Sequence, residues 1–127
     1  MILKKVTLLL VVDAIEPVIP FWESQLGYKR EAEVPHEAAL GFVLLTHAAT
    51  GGAIMLQTRA SLAADLPAVA ARSPEVVLYV DVGSLSEALA ETRGAEVLVP
   101  RRTTFYGAHE AAILDPSGKV VIFAEHG

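Results

Sequence analysis

The same order of predicted elements occurs twice along the chain. The apolar run Val6–Val12 predicts a buried strand, and apolar residues at three- and four-residue spacing from Ile15 to Leu26 then predict an amphipathic helix. Gly27 follows as a stop signal, although Pro17 and Pro20 indicate that this helix starts late or bends. The region after the helix changes to short β-type segments, so the first pass reads as strand, helix, strands.

A second pass repeats this order. Glu75–Val80 predicts a strand, and Ser84–Thr92 predicts a helix that Gly94 ends. Val11 and Val80 hold matching places before the two helices, 69 residues apart. A repeat that occurs twice at this spacing predicts a duplicated half-domain of the type βαβββ.

Three further strands follow the helix in each pass. Turn residues separate them, for example Asp115-Pro116-Ser117-Gly118 before the last strand. The predicted strands are Tyr28–Val34, Ala39–Thr46, Gly52–Thr58, Glu96–Val99, Ala108–Leu114 and Lys119–Ala124, and Ser61–Ala71 predicts a connecting helix or loop. Residues 1–127 are therefore expected to form one α+β domain of two half-modules, about 1–60 and 70–127, with the helices outside a concave sheet.

Composition limits the classes of function. Of the 127 residues 53% are hydrophobic, enough for a packed core, and there is no cysteine for disulfides, thiolate chemistry or cysteine-bound metal. A net charge of -5 argues against nucleic-acid binding. The apolar runs are far shorter than a membrane span of about 20 residues, and no signal peptide is evident, so we expect a cytoplasmic protein with neither nucleic-acid nor membrane partners.

Several short motifs, in this order, resemble those of the vicinal oxygen chelate superfamily. These motifs are Val11-Val12-Asp13, Phe21-Trp22, Leu26-Gly27, Gly94-Ala95-Glu96-Val97, Tyr106-Gly107 and Asp115-Pro116-Ser117-Gly118. That superfamily includes glyoxalases, bleomycin resistance proteins and extradiol dioxygenases. The resemblance implies two tandem βαβββ modules in a cup-shaped, partly open mixed β-barrel, and a homodimer.

The resemblance also implies four places for a metal ligand, two histidines and two glutamates on four strands. Carried over, these places fall on Val6, on Leu56 or Gln57, on Glu75 and on Ile122. Aliphatic side chains cannot bind a metal, and enzymes hold divalent ions with three or more nitrogen or oxygen ligands. We therefore expect neither the superfamily's metal site nor another cofactor.

The histidines do not supply a replacement site. His109 adjoins Glu110 and His126 adjoins Glu125, but neighbouring side chains of a strand point to opposite faces. Neither pair can hold one ion, and we expect the four histidines, which include His36 and His47, to be solvated.

Strand alternation predicts which residues line the cup. Three sets are predicted to point inward: Val6, Leu8 and Leu10; Glu75, Val77 and Tyr79; and Val120, Ile122 and Ala124. The polar residues expected to bind a ligand are Gln57, Glu75 and Tyr79, joined by Arg102 and Tyr106 from the basic and aromatic segment 101–106. The alternative for Glu75 is a solvated strand end, and for segment 101–106 a plain surface loop.

Three functions remain open from the sequence. The first is a metal-independent small-molecule-binding protein of the bleomycin-resistance type, with an apolar cup and few polar contacts. The second is a lyase, isomerase or dioxygenase that uses an atypical metal-ligand set or a glutamate alone. The third is a structural or partner-binding module whose cup is filled by its own side chains.

Overall fold

The architecture is an open eight-stranded mixed sheet with a few short helices, an α+β fold. It was obtained as a computed structural model that describes residues 1–127. The strands are β1 (Leu3–Val12), β2 (Lys29–His36), β3 (Ala39–Thr46), β4 (Ala53–Thr58), β5 (Val76–Val82), β6 (Val97–Thr103), β7 (His109–Leu114) and β8 (Val120–Glu125). The helices are a π-helical segment (Phe21–Gln25), α1 (Arg59–Asp65), α2 (Pro67–Ala70) and α3 (Leu85–Glu91). No helix has the length and apolar character needed to cross a membrane.

The strand order makes the repeat visible. It runs β2-β3-β4-β1-β5-β8-β7-β6, so β1–β4 form one side of the sheet and β5–β8 the other. Within each half the first and last strands pair in parallel, β1 with β4 and β5 with β8. The two halves meet at the centre through the antiparallel pair β1 and β5. This is the duplicated βαβββ order that the sequence predicts, in a sheet that does not close into a barrel.

The first helix starts late, as its prolines predict. Pro20 is its N-cap, and the Leu26 N–H donates to the Phe21 carbonyl at 3.1 Å, the wider spacing of a π-helix. Trp22 packs against the buried cluster beneath the helix, while Phe21 is largely exposed. The helix therefore contributes one of its two large aromatic rings to the core.

The core lies on both faces of the sheet. We call the face that carries the π-helical segment and α3 the outer face. There Ile15 and Ile19 pack on Val43 and Leu45 in the first half, and Leu85 and Ala88 pack on strands of the second half. Each half thus buries part of its outer side under the segment that follows its first strand, as βαβββ units do.

The opposite face, which we call the inner face, is covered by α1 and α2. Leu62, Leu66 and Val69 of these helices are buried against residues of β1, β5, β7 and β8. The Thr58 side chain accepts a hydrogen bond from Ser61 N–H and caps the start of α1. The segment that connects the two halves therefore packs over the sheet.

One part of the predicted inward set is wrong. In β1 the buried residues of the inner face are Thr7, Leu9 and Val11, whereas Val6 and Leu8 lie on the outer face and are 55% and 45% exposed. The reason is that the register carried over from the superfamily placed Val6 inward, whereas the structure buries Thr7 there; Leu10 also packs on the outer face. Val12 and Val82 each precede the first buried residue after their strand by three positions, so the repeat offset in the structure is 70 residues and not 69. A shift of one residue moves every side chain of a strand to the other face.

Candidate functional site

A row of charged residues crosses the inner face in the second half of the sheet. Cross-strand pairing joins Arg102 of β6 to Glu110 of β7, Glu110 to Ala124 of β8, and Ala124 to Asp81 of β5. Paired residues of neighbouring strands lie on the same face, so the three charged side chains project to the same side. Glu110 is only 2% exposed, which makes it the most buried ionisable residue of this row.

Glu110 is the centre of a hydrogen-bond network. Its Oε2 accepts from the Tyr79 hydroxyl at 2.6 Å and from the Tyr106 hydroxyl, and its Oε1 accepts from Arg102 at 3.2 Å. Tyr79 comes from β5, and Tyr106 comes from the loop between β6 and β7. A buried carboxylate is costly unless it is paired, and these three donors supply the partners.

Both phenols of the network resist ionisation. Burial raises the pKa of Tyr79 well above its ordinary value, and the neighbouring Glu110 carboxylate raises it further. The same two causes, in the same order, raise the pKa of Tyr106. Both hydroxyls therefore remain hydrogen-bond donors at neutral pH.

Arg102 links the network to the covering helices. Its guanidinium donates to both carboxylate oxygens of Asp65, at the end of α1, with N–O distances of 3.0 Å. This two-pronged pair is the strong geometry for arginine and a carboxylate. The bond to Asp65 is the main reason why the pKa of Arg102 is raised. Arg102 thus holds a carboxylate on either side, one from the sheet and one from the cover.

His126 lies at one end of the network. Its Nε2 lies 3.0 Å from Asp81 Oδ1 and 3.3 Å from the Tyr79 hydroxyl oxygen, and its ring stacks on Tyr106. Because an ionised Asp81 only accepts hydrogen bonds, Nε2 is the ring nitrogen that carries a proton. His126 is half-exposed, so this end of the network meets the solvent.

The structure brings together three of the five residues predicted to bind a ligand. Tyr79, Arg102 and Tyr106 all contact Glu110. Gln57 also lies on the inner face, but in the first half, where it donates to the Ser61 hydroxyl at 3.1 Å. Glu75 lies just before β5, is exposed and has no side-chain partner. This placement matches the alternative of a solvated strand end.

Sequence reasoning missed the residue at the centre. Glu110 was set aside because His109 cannot share an ion with it, and the structure confirms that the two diverge, with His109 contacting Thr103. The missed signal is the alternation of β7, in which Glu110 shares a face with Ala112 and Leu114 of the core. A glutamate in such a run is the unusual observation, since charged residues are rarely fully buried without partners. Of the four histidines expected to be solvated, His126 is exposed although it is hydrogen-bonded, whereas His36, His47 and His109 are partly buried.

The donor set does not fit the superfamily's metal. Val6 points to the outer face, and the inward neighbour Thr7 has no strong metal-binding group. Gln57 is committed to Ser61, Ile122 is aliphatic, and Glu75 stands alone in solvent. No group of three or more histidine, aspartate or glutamate side chains converges anywhere in the chain. The metal-ligand arrangement of four strands is therefore not present in these residues.

The inner face is closed over the network. The packing between Leu66, Arg102, Glu110 and Ile122 leaves no cavity with room for a water molecule. A hollow of about 520 Å³ lies at the far end of β7, between Gly94 and Gly118. That hollow is open to solvent, and the carboxylate of Asp115 within it is bound to its own turn. The convergent polar groups belong to the closed space and not to the open one.

Comparison with protein families gives one clear result. Residues 4–123 match the family model described as the glyoxalase/bleomycin resistance protein/dioxygenase superfamily, almost the whole chain. No curated protein sequence matches the chain.

Solved structures share the fold across their full length. A glyoxalase/bleomycin resistance protein/dioxygenase superfamily member from Vibrio splendidus 12B01 is 20% identical, with 97% of this chain and 98% of that chain covered and a TM-score of 0.70. Methylmalonyl-CoA epimerase from Mycobacterium tuberculosis is 18% identical, with coverages of 98% and 87% and a TM-score of 0.65. A Streptomyces coelicolor methylmalonyl-CoA epimerase variant in complex with 2-nitronate-propionyl-CoA is 14% identical, with both coverages 95% and a TM-score of 0.63. At these identities the likeness concerns the fold.

Proposed function

The chain belongs to the glyoxalase/bleomycin resistance protein/dioxygenase superfamily, and from this premise we propose that it is a metal-independent small-molecule-binding protein. Its site is the inner face of the second half, with apolar walls and the polar groups of Tyr79, Arg102, Tyr106 and Glu110 at one end. Methylmalonyl-CoA epimerases share the fold, which supports a small molecule as the ligand.

The observation that carries the proposal is the buried Glu110 network. Small-molecule sites are mostly apolar and contain a few polar groups that fix the ligand's orientation. Ala112, Ile122 and Val77 supply the apolar part of this face, and Glu110 with its donors supplies the polar part.

The donor set supports metal independence. A ligand held without metal needs hydrogen-bond donors and acceptors of the chain itself, and two phenols, a guanidinium and a carboxylate provide both kinds. The positions at which relatives are expected to bind metal carry Val6, Gln57, Glu75 and Ile122.

A ligand screen on metal-stripped protein tests the proposal. Small apolar molecules with one or two polar groups are screened by thermal shift and ligand-detected NMR, because Trp22 lies on the outer face and would report poorly. Hits are expected to bind equally with and without chelator and to weaken at least tenfold in Tyr79→Phe/Glu110→Gln. The proposal fails if binding requires Zn²⁺, Ni²⁺, Fe²⁺ or Mn²⁺, or if no molecule binds. Phe42→Leu, in the first half, is the matched control.

A second candidate is a glutamate-based lyase or isomerase. The specific observation is a buried carboxylate that accepts hydrogen bonds from two phenols, which is a suitable arrangement for proton transfer. The glutamate would then be Glu110 and not Glu75. Turnover of a bound ligand that disappears in Glu110→Gln, while binding persists, would favour this candidate.

We further propose a cytoplasmic homodimer of single-domain chains that binds no nucleic acid, in keeping with the acidic composition. The dimer surface is the outer-face strip of Val6, Leu8 and Val76, which are exposed in the middle of the sheet. Leu8 pairs with Leu78 across β1 and β5, so the strip has a local two-fold character and can pack on a second copy. Val6→Glu/Leu8→Glu is expected to convert a dimer to a monomer in light scattering, and a monomeric wild type would refute the dimer.

A further inference from the structure

The covering helices place an apolar body and a carboxylate together in the proposed site. Leu62, Leu66 and Val69 are buried on the inner face, and Asp65 holds both N–H groups of the Arg102 fork. α1 and α2 thus place apolar side chains and a carboxylate against the second half, the same two kinds of group that a small apolar acid carries. A carboxylate seated on a partly buried arginine is a recognition geometry as well as a structural one.

We propose that the segment Arg59–Ala70 occupies the ligand site of its own chain, and that the ligand is a small apolar molecule that carries a carboxylate. The inference rests on the proposed function and names its ligand class. The ligand carboxylate replaces Asp65 on Arg102, and the ligand's apolar part takes the space of Leu66 beside Ile122 and Ala112. Asp65 is therefore an internal competitor of the ligand.

The charges favour an acid over other apolar ligands. In the structure, where the segment is packed on the inner face (the closed form), Arg102 lies between two carboxylates, those of Asp65 and Glu110. When a ligand carboxylate takes the place of Asp65, the partly buried Arg102 keeps two carboxylate partners, so the charge balance around it is unchanged. A neutral ligand would leave half of the guanidinium without a partner, and an ammonium ligand would place two cations together.

The closed form also leaves one donor unused. Arg102 Nε is buried and has no hydrogen-bond acceptor, although the other guanidinium nitrogens are bonded. A buried donor without a partner costs free energy. Leu66 and Arg102 line the same tightly packed space, so a ligand that displaces Leu66 can reach the unused donor.

The segment can move without breaking the sheet. α1 and α2 are seven and four residues long, and residues 59–73 take no part in any strand pairing. The backbone hydrogen bonds that hold residues 66–73 run within the segment, such as Ala70 N–H to Leu66 O. Besides Asp65, its exposed anchor is the ion pair of Arg59 with Asp13. Displacement therefore costs side-chain contacts and no strand hydrogen bonds.

Calorimetry with octanoate and octanol tests the inference. Both probes are titrated into metal-stripped wild type, Asp65→Asn, Arg102→Gln and Asp13→Asn. Octanoate is expected to bind wild type more tightly than octanol, and Asp65→Asn should raise the ratio of the two affinities about tenfold by removing the competing carboxylate. Arg102→Gln should abolish the preference for octanoate. Asp13→Asn loosens the same helix elsewhere, so it should leave the ratio unchanged.

The contrary outcomes are distinct. Equal affinity for the two probes in every variant, or an equal change of ratio in Asp65→Asn and Asp13→Asn, overturns the carboxylate assignment. If octanol alone binds, the proposed function stands and the ligand class is wrong. If neither probe binds any variant and the wider screen is also empty, the inference and the proposed function fail together.

Discussion

The two halves of the sheet share a topology but differ in chemistry at matching places. In the first half a row of cross-strand partners on the inner face reads Val34, Phe42, Gln57 and Val11. The matching row of the second half reads Arg102, Glu110, Ala124 and Asp81. Three charged residues thus stand where the first half has apolar ones. Duplication supplies the scaffold, and only one copy of it carries the convergent polar groups.

The two halves also differ in how far the residues of their inner faces are buried. Phe42, Leu44 and Met55 of the first half are half-buried, whereas Ala112 and Ile122 of the second half are fully buried. α2 lies against β6, and Arg102 bonds Asp65, so the segment after β4 crosses to the second half. Glu110 and Tyr79 of the network are buried beneath this cover, which strengthens the electrostatic contacts that they make with each other.

The largest difference between the halves should appear when the matching residues are truncated. Glu110→Ala leaves two phenols and a guanidinium short of an acceptor, and we expect a loss of about 4 kcal/mol in the free energy of unfolding. Phe42→Ala should cost about 2 kcal/mol, because part of the ring is already in water. Urea denaturation of both variants measures the two losses. An equal or smaller loss for Glu110→Ala would contradict the assigned network.

The second prediction concerns the segment Arg59–Ala70, which covers the inner face. Arg102→Met keeps the aliphatic stem but removes the bonds to Asp65 and Glu110, and we expect a loss of about 2 kcal/mol. Hydrogen exchange of residues 59–70 should accelerate, while exchange in β1 and β5 stays as in wild type. Val34→Met, the matching change in the first half, is the control. Unchanged exchange in the cover would show that Arg102 does not hold it.

The third prediction concerns alkaline pH. The pKa values of Tyr79 and Tyr106 are raised in the folded state, above the ordinary value near 10. Their contribution to stability is therefore complete below about pH 10 and is lost as the pH rises above it. Absorbance of ionised tyrosine should rise together with unfolding in wild type. In Glu110→Gln the rise should come at lower pH, and coincident curves for the two proteins would refute the coupling.

The smallest effect is expected at Glu75. Glu75→Gln changes an exposed side chain without a partner, so the free energy of unfolding should stay within about 0.5 kcal/mol of wild type. Ligand affinity should also be unchanged, in contrast to Glu110→Gln. A clear loss of affinity in Glu75→Gln, seen by calorimetry, would return Glu75 to the site.

The sequence predicts the fold well because the fold depends on local patterns. Alternation, turn residues and helix stops give the duplicated order, and β3 has the predicted bounds, Ala39–Thr46. β6 extends to Thr103, beyond the predicted Val99, because its later residues are polar and are held by pairing with β7. Long-range pairing of this kind leaves no local signal.

The site is predicted only in part. Tyr79, Arg102 and Tyr106 could be named from residue type and place, but their common partner Glu110 required knowledge of which face β7 buries. The inward set of β1 fails because the carried-over place, Val6, is one residue away from the buried Thr7, and a shift of one residue reverses a strand. The role of Asp65 could not be foreseen, since a helix that crosses to the other half depends on tertiary packing.

An NMR titration of metal-stripped protein with octanoate tests the central claim, that ligand binding belongs to the second half. The backbone amide shifts should change at Tyr79, Arg102 and Glu110 and along residues 62–69 as the cover is displaced. The matching first-half residues Val34 and Phe42 should change little. Shifts confined to β2, β3 and β4, or shifts that appear only after metal is added, would contradict the account.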